Sequence, residues 1–401
     1  MGRLRTALPK IVPIALALAV VACDPSEIRT VEEREPLRVA EALAGDVAGF
    51  LRATEPRPFH FPADHGAHDG FRTEWWYFTG NLEDDRGSHY GFQLTFFRQA
   101  LAPNPAPRRS AWAADHIVFA HLALSDERRA RFEASERFSR EALGLAGVRG
   151  SPLRVWVEDW EASSLSPDDA FPMRLRAQEG GLGLDLTVAP RKPPVLHGEQ
   201  GLSRKGPQPG SASYYYSFTR LGAEGTVTVD GRPARVRGLA WLDREWSTSV
   251  LDEGQVGWDW FAIQLEDGRD VMLFQLRRAD GSRDAFDAGA LVDADGRATI
   301  LDANDFVLVP RGFHESRRGT RYPVRWSIEI PAQGMTLDVE PMLPDQELDV
   351  SLRYWEGAVT VSGRDGDGPV LGRGFLEMTG YDAEASVGRA RAGSPTGADV
   401  R

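Results

Sequence analysis

The chain has 401 residues, a net charge of −12 and a single cysteine. That charge argues against a nucleic-acid surface, and one cysteine leaves neither a disulfide framework nor paired-thiol chemistry. Lysine occurs only at Lys10, Lys192 and Lys205, so the positive charge is nearly all arginine.

Residues 1–23 read as a leader rather than as part of the fold. Arg3, Arg5 and Lys10 form a basic start, and Ile11 to Ala22 is an apolar run too short to span a bilayer comfortably. The run ends in Val20-Val21-Ala22-Cys23, which resembles a bacterial lipobox. That resemblance implies cleavage before Cys23, lipidation of its thiol, and a chain held at the periplasmic face of the envelope. Asp24 follows directly, and in the sorting rule it resembles this favours the inner membrane. An ordinary signal peptide or an uncleaved anchor is the alternative. About 380 residues then remain, enough for two domains with proper cores.

Residues 24–58 form a charged tether, in which Leu37, Ala40, Leu43, Val47 and Leu51 have the spacing of a short amphipathic helix over Pro36 to Leu51. From Phe59 the pattern turns to β. Tyr90, Phe92, Leu94 and Phe96 alternate with Gly91, Gln93, Thr95 and Phe97, and His116 to Ala123 alternates likewise. Further strands are predicted at 155–160, 183–188, 214–219, 225–229 and 236–242. In the second half they fall at 255–265, 270–277, 288–292, 322–330, 335–339, 354–362 and 374–379. Gln99 to Trp112 and Pro190 to Ser213 read as long loops of the kind that serve as lids or binding segments.

One β-module is used twice. Trp75 to Asp84 reads WWYFTGNLED and Trp258 to Asp267 reads WDWFAIQLED, and the echo resumes at Phe92-Gln93-Leu94 and Phe274-Gln275-Leu276. Each copy predicts an aromatic-rich hairpin with an acidic turn. The expected architecture is all-β, with two tandem lipocalin-like antiparallel β-barrel domains at 59–250 and 251–382 and a flexible tail at 383–401.

Five motifs sharpen this. Glu74 to Leu82, Gly91 to Arg98, Trp241-Leu242-Asp243-Arg244-Glu245-Trp246-Ser247, Gly257 to Phe261 and Tyr354-Trp355-Glu356-Gly357 together resemble the AttH-like lipocalin-like family. That family is related to carotenoid 1,2-hydratase and is often labelled "predicted secreted hydrolase". The resemblance covers roughly Phe59 to Tyr381. It implies two lipocalin-like barrels side by side and, since members are commonly encoded beside ABC-transporter permeases, a link to export.

The sharpest chemical constellation is Trp241 to Trp246. In an extended strand Trp241, Asp243 and Glu245 share one face and Leu242, Arg244 and Trp246 the other. Two carboxylates beside a tryptophan can produce one raised pKa. A protonated aspartate in an apolar pocket can give its proton to a carbon–carbon double bond, while a neighbouring carboxylate positions water. The family resemblance implies an acidic donor in this region with aromatic and histidine neighbours, and Asp243 is the matching position. Here the adjacent strand carries Tyr214-Tyr215-Tyr216 and no histidine. The alternative is that Asp243 and Glu245 pair with Arg244 or Arg98 and fasten the two domains together.

With 11 Trp and 19 Phe, an aromatic cavity is expected. Trp75, Tyr77, Gln93, His121, Tyr214, Tyr216, Trp241 and Trp258 are its candidate ligand contacts. Asp64, His65, His68 and Glu74 match no strong zinc spacing and read as turn chemistry, so no metal and no cofactor are expected. There is no Gly-x-Ser-x-Gly, His-Glu-x-x-His or P-loop. A serine–histidine pairing of distant residues stays open. Three functions follow. The first is a membrane-tethered lipoprotein binding a lipid or isoprenoid-like molecule in a barrel or in the inter-domain cleft. The second is a cofactor-independent hydratase or hydrolase with Asp243 as general acid, and the third an accessory subunit of an ABC-type export system.

Overall fold

Alternation with a period of two dominates the chain beyond Arg72, and the backbone answers with antiparallel sheets. A computed structural model describes residues 47–381 except 104, 106–109 and 250. The leader with Cys23, the tether up to residue 46 and the tail 383–401 lie outside the described residues. The end of the expected helix, residues 47–51, is turn and coil, with Gly49 at φ 85°.

The first sheet contains β1 (Thr73–Asp84), β2 (His89–Ala100), β3 (His116–Asp126), β4 (Arg131–Arg140) and β5 (Ala146–Gly150). It continues with β6 (Leu153–Val157), β7 (Trp160–Ser164), β8 (Met173–Glu179), β9 (Leu182–Pro190), β10 (Val195–Leu196) and β11 (Leu202–Arg204). The long β12 (Ala212–Val229) and β13 (Arg232–Ser247) complete it. Its order is β4-β3-β2-β1-β13-β12-β9-β8-β7-β6-β5, with β10 and β11 added to β12.

The second sheet holds β14 (Gln255–Leu265), β15 (Asp270–Arg278), β16 (Ala288–Val292), β17 (Ala298–Asp302) and β18 (Val307–Glu315). After these come β19 (Arg321–Ile330), β20 (Met335–Pro341), β21 (Glu347–Leu348), β22 (Tyr354–Asp365) and β23 (Gly368–Met378). The order is β17-β16-β15-β14-β23-β22-β20-β19-β18, with β21 on β22.

Both sheets curl round cores of their own, as expected of lipocalin-like domains. Trp76, Phe78, Leu94, Leu242 and Trp246 belong to the first core, and Phe261, Ile263, Trp326, Trp355 and Leu376 to the second. The two repeated segments are the hairpins β1–β2 and β14–β15, each in the third and fourth places from one end of its sheet. The strand expected at 155–160 is two strands, because Glu158 adopts a left-handed φ of 56° and turns the chain. The charged β4 went unforeseen: its side chains are mostly half-exposed, so it carries almost no apolar rhythm. Part of the expected loop 190–213 is ordered as β10 and β11 along β12.

The sheets meet through their outer faces. Tyr77, Tyr215, Trp241, Trp260, Met272, Phe274 and Phe375 form a third apolar cluster between them. Gly91 marks a close approach, since a Cβ there would lie 2.5 Å from the Ala358 methyl. Polar contacts fix the register. Asp270 of β15 is buried and receives Lys192 at 2.7 Å, Arg220 at 2.6 Å and Thr219 at 2.8 Å. The Gln264 amide donates to the carbonyls of Thr219 and Ala240 at 2.7 and 3.0 Å. Buried charges paired in this way lock a geometry, because freeing one leaves its partner unsolvated.

Candidate active site

The strand pleat decides which side chains enter this interface. On β13, Leu242, Arg244 and Trp246 turn inward, so Trp241, Asp243 and Glu245 turn toward the second sheet. On β12 the same rule sends Tyr214 and Tyr216 into the first core and Tyr215 outward with Ser217. From the second sheet, Trp258 and Trp260 of β14 and Glu377 of β23 turn back toward them. The result is a cavity of about 340 Å³ between the sheets. Its apolar wall includes Trp75, Phe97, Phe119, Phe138, Trp260 and Leu352, and its polar groups include Asp243, Glu245, Lys205, Tyr215, Tyr354 and Glu377.

Asp243 is buried and meets three neutral donors. The Trp241 indole donates to Oδ1 at 2.5 Å, Ser217 donates to the same oxygen, and the Tyr215 hydroxyl bonds Oδ2. Burial pushes its carboxyl up to about 7, against the pull of those donors, and the charge on Glu245 adds to the rise. Near neutrality Asp243 therefore keeps a substantial share of its proton. The Tyr215 hydroxyl also accepts from the Trp260 indole at 3.1 Å, which ties this station to the second sheet. A proton on Asp243 Oδ2 requires the Tyr215 hydroxyl to accept rather than donate in their shared bond.

Glu245 faces the Lys205 ammonium at 3.6 Å, and that nitrogen sits 3.8 Å from the Phe274 ring centre. Burial holds the Lys205 pKa below the usual lysine range. Behind Ser217 lies His197, whose Nε2 is 2.6 Å from Ser217 Oγ and whose ring lies 4.2 Å from that of Tyr215. Burial drives its pKa down to about 3, so the imidazole is neutral and serves as a donor or acceptor rather than a charge. The histidine missing from β12 is thus supplied by the segment after β10. It lay inside the expected loop 190–213, and nothing in its local spacing marks it.

The arginine pairing considered for Asp243 does not form. Arg98 and Arg244 instead converge on Glu74, at 2.7 and 2.6 Å, on the opposite face of the sheet. Arg244 also stacks over Trp76 at 3.8 Å. The polar fastening between the sheets instead includes Asp270, Gln264 and the Ser125–Gln346 bond.

Of the candidate ligand contacts, Trp75, Tyr77 and Trp258 line the cavity. Trp241 lies behind Asp243 as its hydrogen-bond donor. Gln93 and His121 stand one layer back, bonding the Tyr354 hydroxyl at 3.3 and 2.7 Å. Tyr214 and Tyr216 are corrected to first-core residues. The Tyr214 hydroxyl donates to the Glu55 carbonyl at 2.9 Å, and that of Tyr216 meets His65 Nδ1 at 2.6 Å. Their neighbour Tyr215 takes the cavity position. Glu74 is engaged by the arginines and by His68, which stacks on Trp246 at 3.7 Å. Among the described residues no group of side chains could hold a metal ion. Of the two expected places for a ligand, a barrel interior or the inter-domain cleft, the cavity lies at the second, because the inward faces supply the two packed cores.

A family model described as AttH-like matches residues 52–381. The crystal structure of an AttH protein from Nitrosomonas europaea superposes with a TM-score of 0.73 and 35% identity, covering 83% of this chain and 100% of that one. The kievitone hydratase of Nectria haematococca superposes with a TM-score of 0.64 at 16% identity, covering 83% and 99%, a likeness of fold. The dehydratase asqC of Emericella nidulans is 23% identical over 189 residues, 45% of this chain. The chain matches about half, 52%, of that relative's length.

Proposed function

The chain belongs to the AttH-like family, and we propose that its inter-sheet cavity adds water to, or removes it from, an apolar substrate without a cofactor. One observation carries this reading: Asp243, a carboxyl raised to about 7, stands in the wall of an aromatic cavity with no cation bonded to it among the described residues. In hydration Asp243 gives its proton, directly or through Tyr215, to one carbon of a double bond, and water oxygen bonds the other carbon. In dehydration, the reverse, its carboxylate takes the proton back from carbon as the hydroxyl departs. General acid transfer of this kind is worth about a hundred- to ten-thousand-fold in rate. The aromatic wall excludes bulk water and so keeps the acid neutral until substrate arrives. Similarity to a dehydratase and a hydratase supports this reading over simple ligand storage. Storage accounts for the apolar lining and leaves the raised carboxyl without a role.

The test uses the purified full-length chain with the tertiary terpene alcohol nerolidol, or with a conjugated enone, in heavy-oxygen water. Label should enter the alcohol of the recovered product, and Asp243→Asn should abolish it. If no label enters with either probe while an apolar molecule co-purifies, ligand binding becomes the better account. Lipid anchoring through Cys23 is a separate proposal, resting on the Val20-Val21-Ala22-Cys23 run. Incorporation of a labelled lipid precursor by wild type and its loss in Cys23→Ser would support it. A place beside an export permease predicts co-purification with an inner-membrane complex.

A further inference from the structure

Asp243 has a counterpart in the second sheet. The repeat equates Trp75 with Trp258, and at the same offset Tyr77 with Trp260. In the first sheet Tyr77 pairs across strands with Asp243, and Asp243 pairs with Ser217. In the second sheet Trp260 pairs with Glu377, and Glu377 pairs with Glu356. Register therefore equates Asp243 with Glu377 and Ser217 with Glu356. Tyr215 and Tyr354 match as well, each two residues before the third-strand member. Of these, Asp243, Glu377, Tyr215 and Tyr354 all reach the one cavity, the two carboxyls from opposite walls.

The surroundings of Glu377 suit a proton acceptor. It keeps partial exposure, and the Trp258 indole donates to its Oε1 at 2.7 Å. Glu356 behind it is fully buried. The Tyr77 hydroxyl donates to Glu356 Oε1, while Glu356 Oε2 has no hydrogen-bond partner. An unpartnered buried carboxyl oxygen is costly when charged and much less so when it carries the proton. Glu356 is thus a neutral neighbour beside which Glu377 takes the charge.

We propose that Glu377 is the second proton-transfer group of the reaction, with Glu356 as its positioning residue. This rests on the hydratase reading above. In hydration the proton of Asp243 goes to one alkene carbon, and water oxygen forms its bond to the other. The proton displaced from that water passes to the Glu377 carboxylate. Asp243 ends ionised and Glu377 protonated, and solvent exchange returns the starting state. Dehydration is the reverse, with Glu377 protonating the departing hydroxyl and Asp243 taking the proton from carbon.

The electrostatics agree with this geometry. Burial pushes Glu377 up to about 7, and the charges on Asp243 and Glu245 push in the same direction, while Trp258 and Tyr77 pull it down. Glu356 is raised well above the carboxylate range by burial and then by the Glu377 charge. Two cavity carboxyls that titrate together favour one proton between them, the state in which one is an acid and the other a base.

Infrared spectra of the full-length protein in heavy water, taken across pH 5 to 9 (about the neutral range), test the coupling without a substrate. Wild type should show protonated-carboxyl bands titrating near neutrality. Glu377→Gln should remove one of them and lower the midpoint of the band assigned by Asp243→Asn, by on the order of half a unit. An Asp243 midpoint unmoved in Glu377→Gln overturns the proposal. In the nerolidol exchange assay, Glu377→Gln should lower the rate by about a hundredfold or more and remove the acid limb of the pH profile. Glu377→Asp should lower kcat yet keep that limb, and Glu356→Gln should shift it with exchange still measurable. Wild-type exchange in Glu377→Gln removes this role and leaves the hydratase reading standing. No exchange in the wild type removes both.

Discussion

Glu74 and Asp243 are both buried on adjacent strands of one sheet, yet their carboxyls move in opposite directions. Burial alone would raise both. At Glu74 that push is overcome by Arg244 first, then by the His68 hydrogen bond and Arg98, and the group stays ionised far below the usual range. At Asp243 the hydrogen-bond donors Ser217, Tyr215 and Trp241 are neutral, and burial takes the carboxyl up to about 7. The guanidinium that could have quenched it belongs to Arg244, the next residue along. The pleat turns that side chain through the sheet to Glu74, so one strand makes a structural ion pair on one face and an acid on the other. The counter-charge, not the depth of burial, separates the ion-paired carboxylate from the one that keeps its proton.

The largest expected effect comes from Asp243→Asn. It should reduce exchange by about a hundred- to ten-thousand-fold, measured as label incorporation, while the protein remains folded by circular dichroism. Arg244→Met sharpens the contrast from the other face. It leaves Glu74 short of a cation in a buried site, and urea unfolding should show a loss of about 3–5 kcal/mol. If that variant is as stable as wild type, the ion pair is not what anchors the inner face.

The two carboxyls should also respond oppositely to pH. Asp243 titrates near 7 in the native state and near 3.8 when exposed. Between those values the folded protein holds this proton more firmly than the unfolded chain does. Its contribution to stability therefore falls as pH rises through that window and is flat above it. Glu74, depressed in the fold, contributes fully above its ordinary 4.5 and loses that contribution as pH falls below it. Asp243→Asn should therefore make the urea midpoint fall less, or rise more, between pH 5 and pH 7 than it does in wild type, and Glu74→Gln should leave the wild-type slope over that window in place.

The smallest effects test the register. Tyr215→Phe removes the hydroxyl bonded to Asp243 and should lower exchange by about tenfold, the equivalent of one ordinary hydrogen bond. Tyr214→Phe removes a hydroxyl bonded to the Glu55 carbonyl and should cost about 1 kcal/mol in stability with exchange unchanged. The reverse pattern would place the wrong tyrosine in the cavity.

Much of the fold could be read from residue order. The doubled Trp-rich hairpin, the alternation of β2 and β3 and the shared face of Trp241, Asp243 and Glu245 are local properties of an extended chain, and each is seen in the fold. The AttH-like motif placed Asp243 at a site of interest before any contact was known. The run Tyr214-Tyr215-Tyr216 shows where such reading stops. Three identical residues cannot say which faces the cavity, and only pairing with β13 sets the phase. His197, Lys205 and Glu377 went unassigned because each is ordinary in its own segment, and the motif that contains Glu356 assigns it no role. Glu377 acquires meaning only when β23 pairs with β14 and that hairpin is laid against the first.

Sequence alone therefore determined the strand rhythm, the duplication and the composition of each strand face, since these depend on bonds and neighbours a few residues apart. Only tertiary structure decided that the hollow lies between the sheets and that two carboxyls 134 residues apart, at positions 243 and 377, share it. The same packing gave Arg244 to Glu74 instead of Asp243. The reason is physical: a pKa is set by the dielectric and the charges within a few ångströms, and in this protein most of those come from strands distant in the chain.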